Sequence, residues 1–290
     1  MMADGAHIVT AIRLQNGLID QSASPVVRED TLTILVEGIG FYTLMWTPIR
    51  EAGDAQAYTA EDGMLGGEPS EALIIAAGFL FSEGLIGGLS DLRALAFCPD
   101  DPKVVRAHLA HPPAGEVRRR DVVMASSCGL CGDGGGIAAL LDDLPGVGLG
   151  LTVATATLGR LMTEMRHRQQ VFDATGGTHA AGVFDAAGRL LVVAEDLGRH
   201  NALDKVIGRC LFEGIDMSAA GVVLSSRLSL EMMTKAIRAG FQVVAAISAP
   251  TSLAVEVAER KGVTLCAFIR DGRATVYSRP GRIAELGPMN

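Results

Sequence analysis

The stretch GVVLSSRLSLEMMTKAIRAGFQVVAAISAPTSLAVEVAERKGVTLCAFI, residues 221–269, decides the fold. Gly221–Leu224, Gln242–Ile247 and Val263–Ile269 are short apolar runs rich in valine and isoleucine, which read as strands. Between them, Ser229–Ala239 and Ser252–Lys261 open on small hydroxyl residues and read as helices. Strand, helix, strand, helix, strand at this spacing is an α/β domain with part of its sheet parallel. Working outward, strands are expected at His179–Phe184 and Leu190–Ala194, turned by residues 185–188, with a last strand at Ala274–Tyr277. Helices are expected at Thr157–Gln170 and near Asn201–Glu213. Residues 151–290 are therefore an α/β domain with a mixed sheet.

Toward the N-terminus a smaller α+β domain is expected over 29–110. Thr31–Glu37 and Phe41–Trp46 form a hairpin about Gly38–Gly40, and strands follow at Leu92–Phe97 and Val104–Leu109. Pro69-Ser70-Glu71 opens a helix that is apolar on nearly all sides up to Ser82, the mark of a buried helix. A polar, Gly- and Ala-rich stretch near 49–68 reads as a surface insertion, and residues 1–28 read as a mobile lead-in without an element. The run His111–Gly115 breaks structure, so 111–150 is expected to be a flexible loop.

Composition bounds the function. Of 290 residues, 49% are hydrophobic and 20% charged, as in a folded globular protein. A net charge of −8 argues against a nucleic-acid or anionic-membrane binder. The longest clean apolar run, Ala72–Phe81, spans ten residues, against the roughly 20 that cross a bilayer. With no signal-peptide pattern at the start, a soluble cytoplasmic protein is expected. Five cysteines, odd in number and widely spread, imply no disulfide framework.

Four stretches carry candidate chemistry. In SSCGLCG (126–132), Cys128 and Cys131 lie three apart between glycines, with Arg118, Arg119 and Arg120 upstream. Half of a zinc site, a redox dithiol and a persulfide-bearing thiol on a mobile arm are the competing readings. Zinc lacks a second close ligand pair, and a dithiol lacks its strand-to-helix context. TGGTHAA (175–181) offers His179 beside two glycines, as an anion donor or as the end of a tight turn. EDLGRHNALDKVIG (195–208) gathers six ionisable side chains, Glu195, Asp196, Arg199, His200, Asp204 and Lys205, where a strand feeds a helix. A binding site is expected there, since ligands bind at the carboxyl ends of strands in such sheets and helix N-termini attract anions. SSRLSLEM (225–232) and SAPTSLA (248–254) repeat the junction, bringing Ser225, Ser226, Arg227, Thr251 and Ser252 to the same edge. Plain N-capping is the competing account. Neither a Walker loop nor GxGxxG is present.

Together with ISAPTSLAVEVAE (247–259) and TLCAFIRDGRATVY (264–277), these motifs resemble the FdhD/NarQ family of formate dehydrogenase accessory sulfurtransferases. LMWTP (44–48) and AAGFLFSEGLI (76–86) extend the resemblance toward the N-terminus. It implies a sulfur carrier that takes persulfide sulfur from a cysteine desulfurase and delivers it to the molybdenum cofactor before insertion into formate dehydrogenase, or a related molybdenum or tungsten enzyme. The persulfide would sit on Cys128, with Cys131 assisting. The cofactor, bis(molybdopterin guanine dinucleotide), would contact Phe268, Ile269, Arg270, Asp271, Gly272 and Arg273. His179, Arg199, His200, Ser226 and Arg227 would supply the crevice, and a guanine nucleotide would mimic the cofactor. A chaperone that binds the cofactor without moving sulfur is the alternative. The resemblance also implies a cytidine-deaminase-like C-terminal domain and a homodimer. Zinc deamination is not expected, because His200-Asn201-Ala202 and Ser225-Ser226-Arg227 stand where zinc ligands and a catalytic glutamate would be needed.

Overall fold

The computed structural model describes residues 4–49, 56–111, 141–270 and 272–287. The first strands, β1 (Ala6–Gln15) and β2 (Leu18–Val27), pair antiparallel along their whole length. Asn16 and Gly17 between them take φ of 52° and 81°, the pair of positive angles that a two-residue hairpin turn demands. The lead-in expected to lack structure is thus a hairpin arm. Its signals are the alternation of Ile8, Thr10, Ile12 and Leu14 and the Asn-Gly turn.

Strands β3 (Asp30–Val36), β4 (Gly40–Trp46), β5 (Ala57–Thr59), β6 (Gly63–Leu65), β7 (Leu92–Cys98) and β8 (Asp101–Leu109) form a mixed sheet in the order β4-β3-β8-β7-β5-β6. The expected insertion near 49–68 supplies β5 and β6, which extend one edge of this sheet, while residues 50–55 lie outside the described ones. Helix α1 (Glu71–Ser82), capped by the Ser70 hydroxyl, covers the inner face. Leu73, Ile75, Phe79 and Leu80 pack there on Leu32, Ile34, Leu44, Leu95 and Val105.

The C-terminal half comprises α2 (Thr155–His167), α3 (Gln170–Thr175), β9 (His179–Phe184), β10 (Leu190–Asp196), α4 (Arg199–Glu213), β11 (Gly221–Leu224), α5 (Leu230–Arg238), β12 (Val243–Ala246), α6 (Ser252–Lys261), β13 (Thr264–Arg270) and β14 (Arg273–Ser278). Its sheet runs β10-β9-β11-β12-β13-β14, with β11, β12 and β13 parallel and the outer pairings antiparallel. Val222, Leu224, Val244, Ala246, Leu265 and Ala267 face the layer of α4, α5 and α6. Val223, Val243, Ala245 and Cys266 face α2. With both faces covered, the strands read as continuous apolar runs rather than alternating ones.

Two expectations are corrected here. The single helix expected over Thr157–Gln170 is two helices, because the buried Glu195 carboxylate accepts the Val171 and Phe172 N–H groups, both at 3.0 Å, and so caps a new start. The loop expected to run to 150 is tied down earlier. Leu141 and Leu144 are buried in the core, and residues 112–140 lie outside the described ones.

The halves meet where α1 crosses α4 through glycine. A Cβ on Gly78 would stand 1.8 Å from the Asp204 carbonyl oxygen, and one on Gly208 would stand 1.8 Å from that of Ile74. The two backbones therefore touch, and no methyl group fits between them. Gly208→Ala should destabilise the protein by about 3 kcal/mol or more, since overpacking against backbone cannot relax. Gly159→Ala, in open space on α2, should stabilise by roughly 0.5–1 kcal/mol. Urea unfolding of both variants checks the pair.

Candidate functional site

At the crossing, charged side chains are buried as two clusters. The Lys205 ammonium, fully buried, contacts Asp196 Oδ2 at 2.9 Å and Glu71 Oε1 at 3.2 Å. It also donates to the carbonyls of Thr47 at 2.7 Å and Glu195 at 3.0 Å, and lies over the Trp46 ring. One turn away from the glycine contact, Lys235 bonds both Asp204 oxygens at 3.0 Å, the Ser82 hydroxyl at 2.8 Å and Glu83 at 3.0 Å. Burial works against the Lys235 ammonium, but Asp204 and Glu83 outweigh it and hold its pKa above the ordinary range. Of the six ionisable groups expected to form a binding site, Asp196, Asp204 and Lys205 are instead buried fasteners between the halves, and the buried Glu195 caps α3.

The other two stand at the open end. Asp196 Oδ1 accepts the Gly198 N–H and the Asn201 amide, both at 2.9 Å, and so fixes how the chain enters α4. Arg199 and His200 open that helix, which has no side-chain cap. Opposite Asp196 in the sheet lies His179, the first residue of β9. The His179 pKa is lowered, first by burial and then by the charges of Arg199, His200 and Arg227. These four residues form one electrostatically coupled cluster, and Arg199 Nε is buried there without a hydrogen-bond partner among the described residues. Glu231 balances part of the charge, its carboxylate 3.1 Å from His200 Nε2. Burial would raise the Glu231 pKa, but the His200 contact and nearby cations hold it below its ordinary value.

The hydroxyls of the neighbouring junctions are occupied by the fold. Ser225 Oγ accepts the Ala180 N–H at 2.8 Å, and the buried Ser226 hydroxyl donates to the Arg227 carbonyl at 3.1 Å. Thr251 caps α6 and Ser229 caps α5. Ser226, expected in the crevice, thus has its hydroxyl proton engaged by the fold. The glycines of TGGTHAA are structural too. Gly176 ends α3 in the left-handed region at φ 69°, and Gly177 lies against Val27 of the arm.

The last expected segment lies along β13 and its turn into β14. Phe268 takes φ 55° at a bulge between Ala267 and Arg270. The extra residue shifts the facing by one, so Phe268 is 44% exposed and Ile269 returns to the core facing α2. Ile269, expected among the ligand contacts, can therefore offer only its backbone. Arg270, Gly272 and Arg273 are exposed at the turn, at the same end of the sheet as the ends of β11 and β12. Asp271, Cys128 and Cys131 lie outside the described residues.

The three described cysteines, Cys98, Cys210 and Cys266, are all buried. Burial pushes the Cys210 and Cys266 thiols up to about 12, the former helped by Glu213. Neither supplies a thiolate at neutral pH. Among the described residues no three of His, Cys, Asp and Glu gather as metal ligands, and no helix is long and apolar enough to cross a membrane.

The cluster makes a pH prediction. With His179 below its ordinary 6.5, the unfolded chain takes the proton first. Its contribution to stability is complete above that value and declines as pH falls below it. Arg199→Met should raise the His179 pKa and reduce this acid-side loss, read by NMR titration of the histidine ring and by unfolding at several pH values.

A model of the FdhD/NarQ family matches residues 64–284. A sulfur carrier protein FdhD from Thermoplasma acidophilum is 39% identical over 78% of this chain and 80% of its own length. One from Bordetella bronchiseptica is 35% identical over 96% of this chain and 95% of its own. The crystal structure of a formate dehydrogenase accessory protein from Desulfotalea psychrophila shares the fold, with a TM-score of 0.71 at 23% identity, over 96% of this chain and 99% of that one. The mixed α/β architecture, the motif order and these matches agree that the chain belongs to the FdhD/NarQ family.

Proposed function

We propose that this protein is a sulfur carrier whose Cys128 accepts persulfide sulfur from a cysteine desulfurase and passes it to bis(molybdopterin guanine dinucleotide), destined for formate dehydrogenase or a related molybdenum or tungsten oxidoreductase. The burial of the other three thiols carries this reading. Cys98, Cys210 and Cys266 cannot meet a second protein, so the exchangeable sulfur falls to the pair in SSCGLCG. In loading, the Cys128 thiolate attacks the outer sulfur of the donor persulfide. The donor S–S bond breaks, its thiolate leaves, and no oxidant is needed. In release, attack by Cys131 on Cys128 Sγ would expel hydrosulfide and leave a Cys128–Cys131 disulfide, which a cellular dithiol reduces.

The cationic cluster supports the second half of the reading. Arg199, His200 and Arg227 act electrostatically on His179, and the two arginines offer charge-assisted donors to a phosphate. The exposed Phe268 and the arginines at the β13–β14 turn stand at the same sheet end, as flank for a large anionic nucleotide.

Incubation with a desulfurase and cysteine should add the mass of one sulfur atom to the peptide holding Cys128. Cys128→Ser should abolish the adduct, and Cys131→Ser should slow turnover with less effect on loading. An adduct mapped to another cysteine, or none, overturns the carrier assignment. A nucleotide-binding protein without an adduct would be a cofactor chaperone.

GDP, which offers the same base and phosphates as the cofactor, should bind with salt-sensitive affinity. Arg273→Ala should weaken it about tenfold or more, roughly 1.4 kcal/mol per decade. Equal affinities by calorimetry would mean that the turn does not read the nucleotide.

A further inference from the structure

The six-stranded N-terminal sheet carries α1 on its inner face. On its outer face the strand registers line up one residue from each strand, Phe41, Leu35, Arg106, Ala96, Ala57 and Leu65, in a single row. At roughly 4.8 Å per strand spacing the row is about 24 Å long. Its large apolar members are open, Phe41 being 47% exposed, Leu35 37% and Leu65 42%. Beside Leu35 the row borders a hollow of about 480 Å³, lined also by Glu37, Ile39, Arg106 and His108. Charge on this sheet is unevenly matched. Glu37 is held by His108 at 2.5 Å, and Asp30 by Lys103 at 2.6 Å. Arg106, exposed in the middle of the row, makes no hydrogen bond or ion pair among the described residues. On a chain of net charge −8, this face therefore offers an unpaired guanidinium among apolar side chains.

We propose that the outer face of the N-terminal sheet docks an acidic amphipathic helix of another protein, its carboxylate on Arg106 and its apolar side chains on Leu35 and Phe41. The sheet suggests the element. An apolar sheet face is buried under a further layer, and on the inner side α1 already fills that place. About 16 residues of helix, at 1.5 Å each, span the row. Charge selects the partner. A second copy docking through a two-fold axis needs a self-complementary patch. This patch would bring two Arg106 side chains together with its one carboxylate, Glu37, already held by His108. A lone guanidinium among aliphatic residues is no track for a phosphate backbone either. Area sets the strength. Strands of about seven residues at 3.3 Å each, across 24 Å, offer roughly 550 Å². A complex then buries about 1,100 Å² in total, the size of a transient encounter. The inference stands apart from the sulfur-carrying role.

Fluorescence anisotropy with the full chain tests it. The probe is a labelled helical peptide of about 16 residues, built from alanine, leucine and glutamate, with a glutamate inside the leucine stripe. Its twin carries lysine at every glutamate. The acidic peptide should bind with a Kd of about 100 μM or tighter, and more weakly as salt rises. Arg106→Glu should weaken it about tenfold or more, and Leu35→Ser with Phe41→Ser should do the same. All three side chains are exposed, so melting should remain cooperative. Leu253→Ser, at an exposed position on α6, should change nothing, and the lysine twin should not bind. Equal affinity of wild type and Arg106→Glu, equal affinity for the two peptides, or no binding at about 1 mM overturns the assignment. So does a wild-type dimer that Arg106→Glu dissociates in sedimentation velocity, since the face would then join two copies.

Discussion

The architecture depends on two helices touching through glycine. Because Gly78 and Gly208 carry no side chains, α1 and α4 approach until backbone meets backbone. Everything flanking the contact is then brought within bonding distance. Lys205 reaches Glu71 and Lys235 reaches Ser82 only because the helix axes are so close. Burying an ammonium costs several kcal/mol unless good partners replace its water. Each lysine has four polar contacts and an aromatic face. Removing one partner would strand a buried charge, so the two clusters demand one relative placement of the halves.

That placement also builds the cationic cluster. Asp196 binds Lys205 through one oxygen and the Gly198 N–H and Asn201 through the other. Asn201 in turn donates to the Met45 carbonyl at 2.6 Å, and Thr47 accepts the Leu197 N–H at 3.2 Å. The segment presenting Arg199 and His200 is thus gripped from the N-terminal half. LMWTP, AAGFLFSEGLI and EDLGRHNALDKVIG, scattered over more than half of the chain, are three sides of one joint. A cationic cluster keeps its geometry only if its own like charges cannot push it apart, and the joint supplies that stiffness.

Much of this was legible in the sequence. Elements of the α/β half were readable because small capping residues and glycines punctuate short apolar runs, as at Ser229, Thr251 and Gly262. α1 was readable as buried because it is apolar all round, and it is indeed enclosed between a sheet and α4. What stayed hidden was the partner of each ionisable group. Glu195, Asp196, Asp204 and Lys205 look like site residues in a one-dimensional reading, since density of charge does not tell a fastener from a binder. The distinguishing signal lay elsewhere, in Gly78 within the apolar α1 and Gly208 within the interior of α4. The arm was missed for a different reason. Its signals are local, the Asn16–Gly17 turn and an alternation that leaves Ile8, Ile12 and Leu14 exposed rather than in a core.

Separation along the chain is not separability here. A cut between residues 111 and 141 looks like a clean division into two modules, yet each piece would carry half of a lock. The N-terminal piece would present a glycine-floored groove with Glu71 and Glu83 beside it. Its counterpart would keep Lys205 and Lys235 without those carboxylates and lose the carbonyl of Thr47. The C-terminal piece could not keep the cationic cluster in place, because the grip on Leu197 and Asn201 belongs to the N-terminal one. Recombination that shuffles such halves between relatives would succeed only where the two glycines and both lysine sockets travel as a matched set.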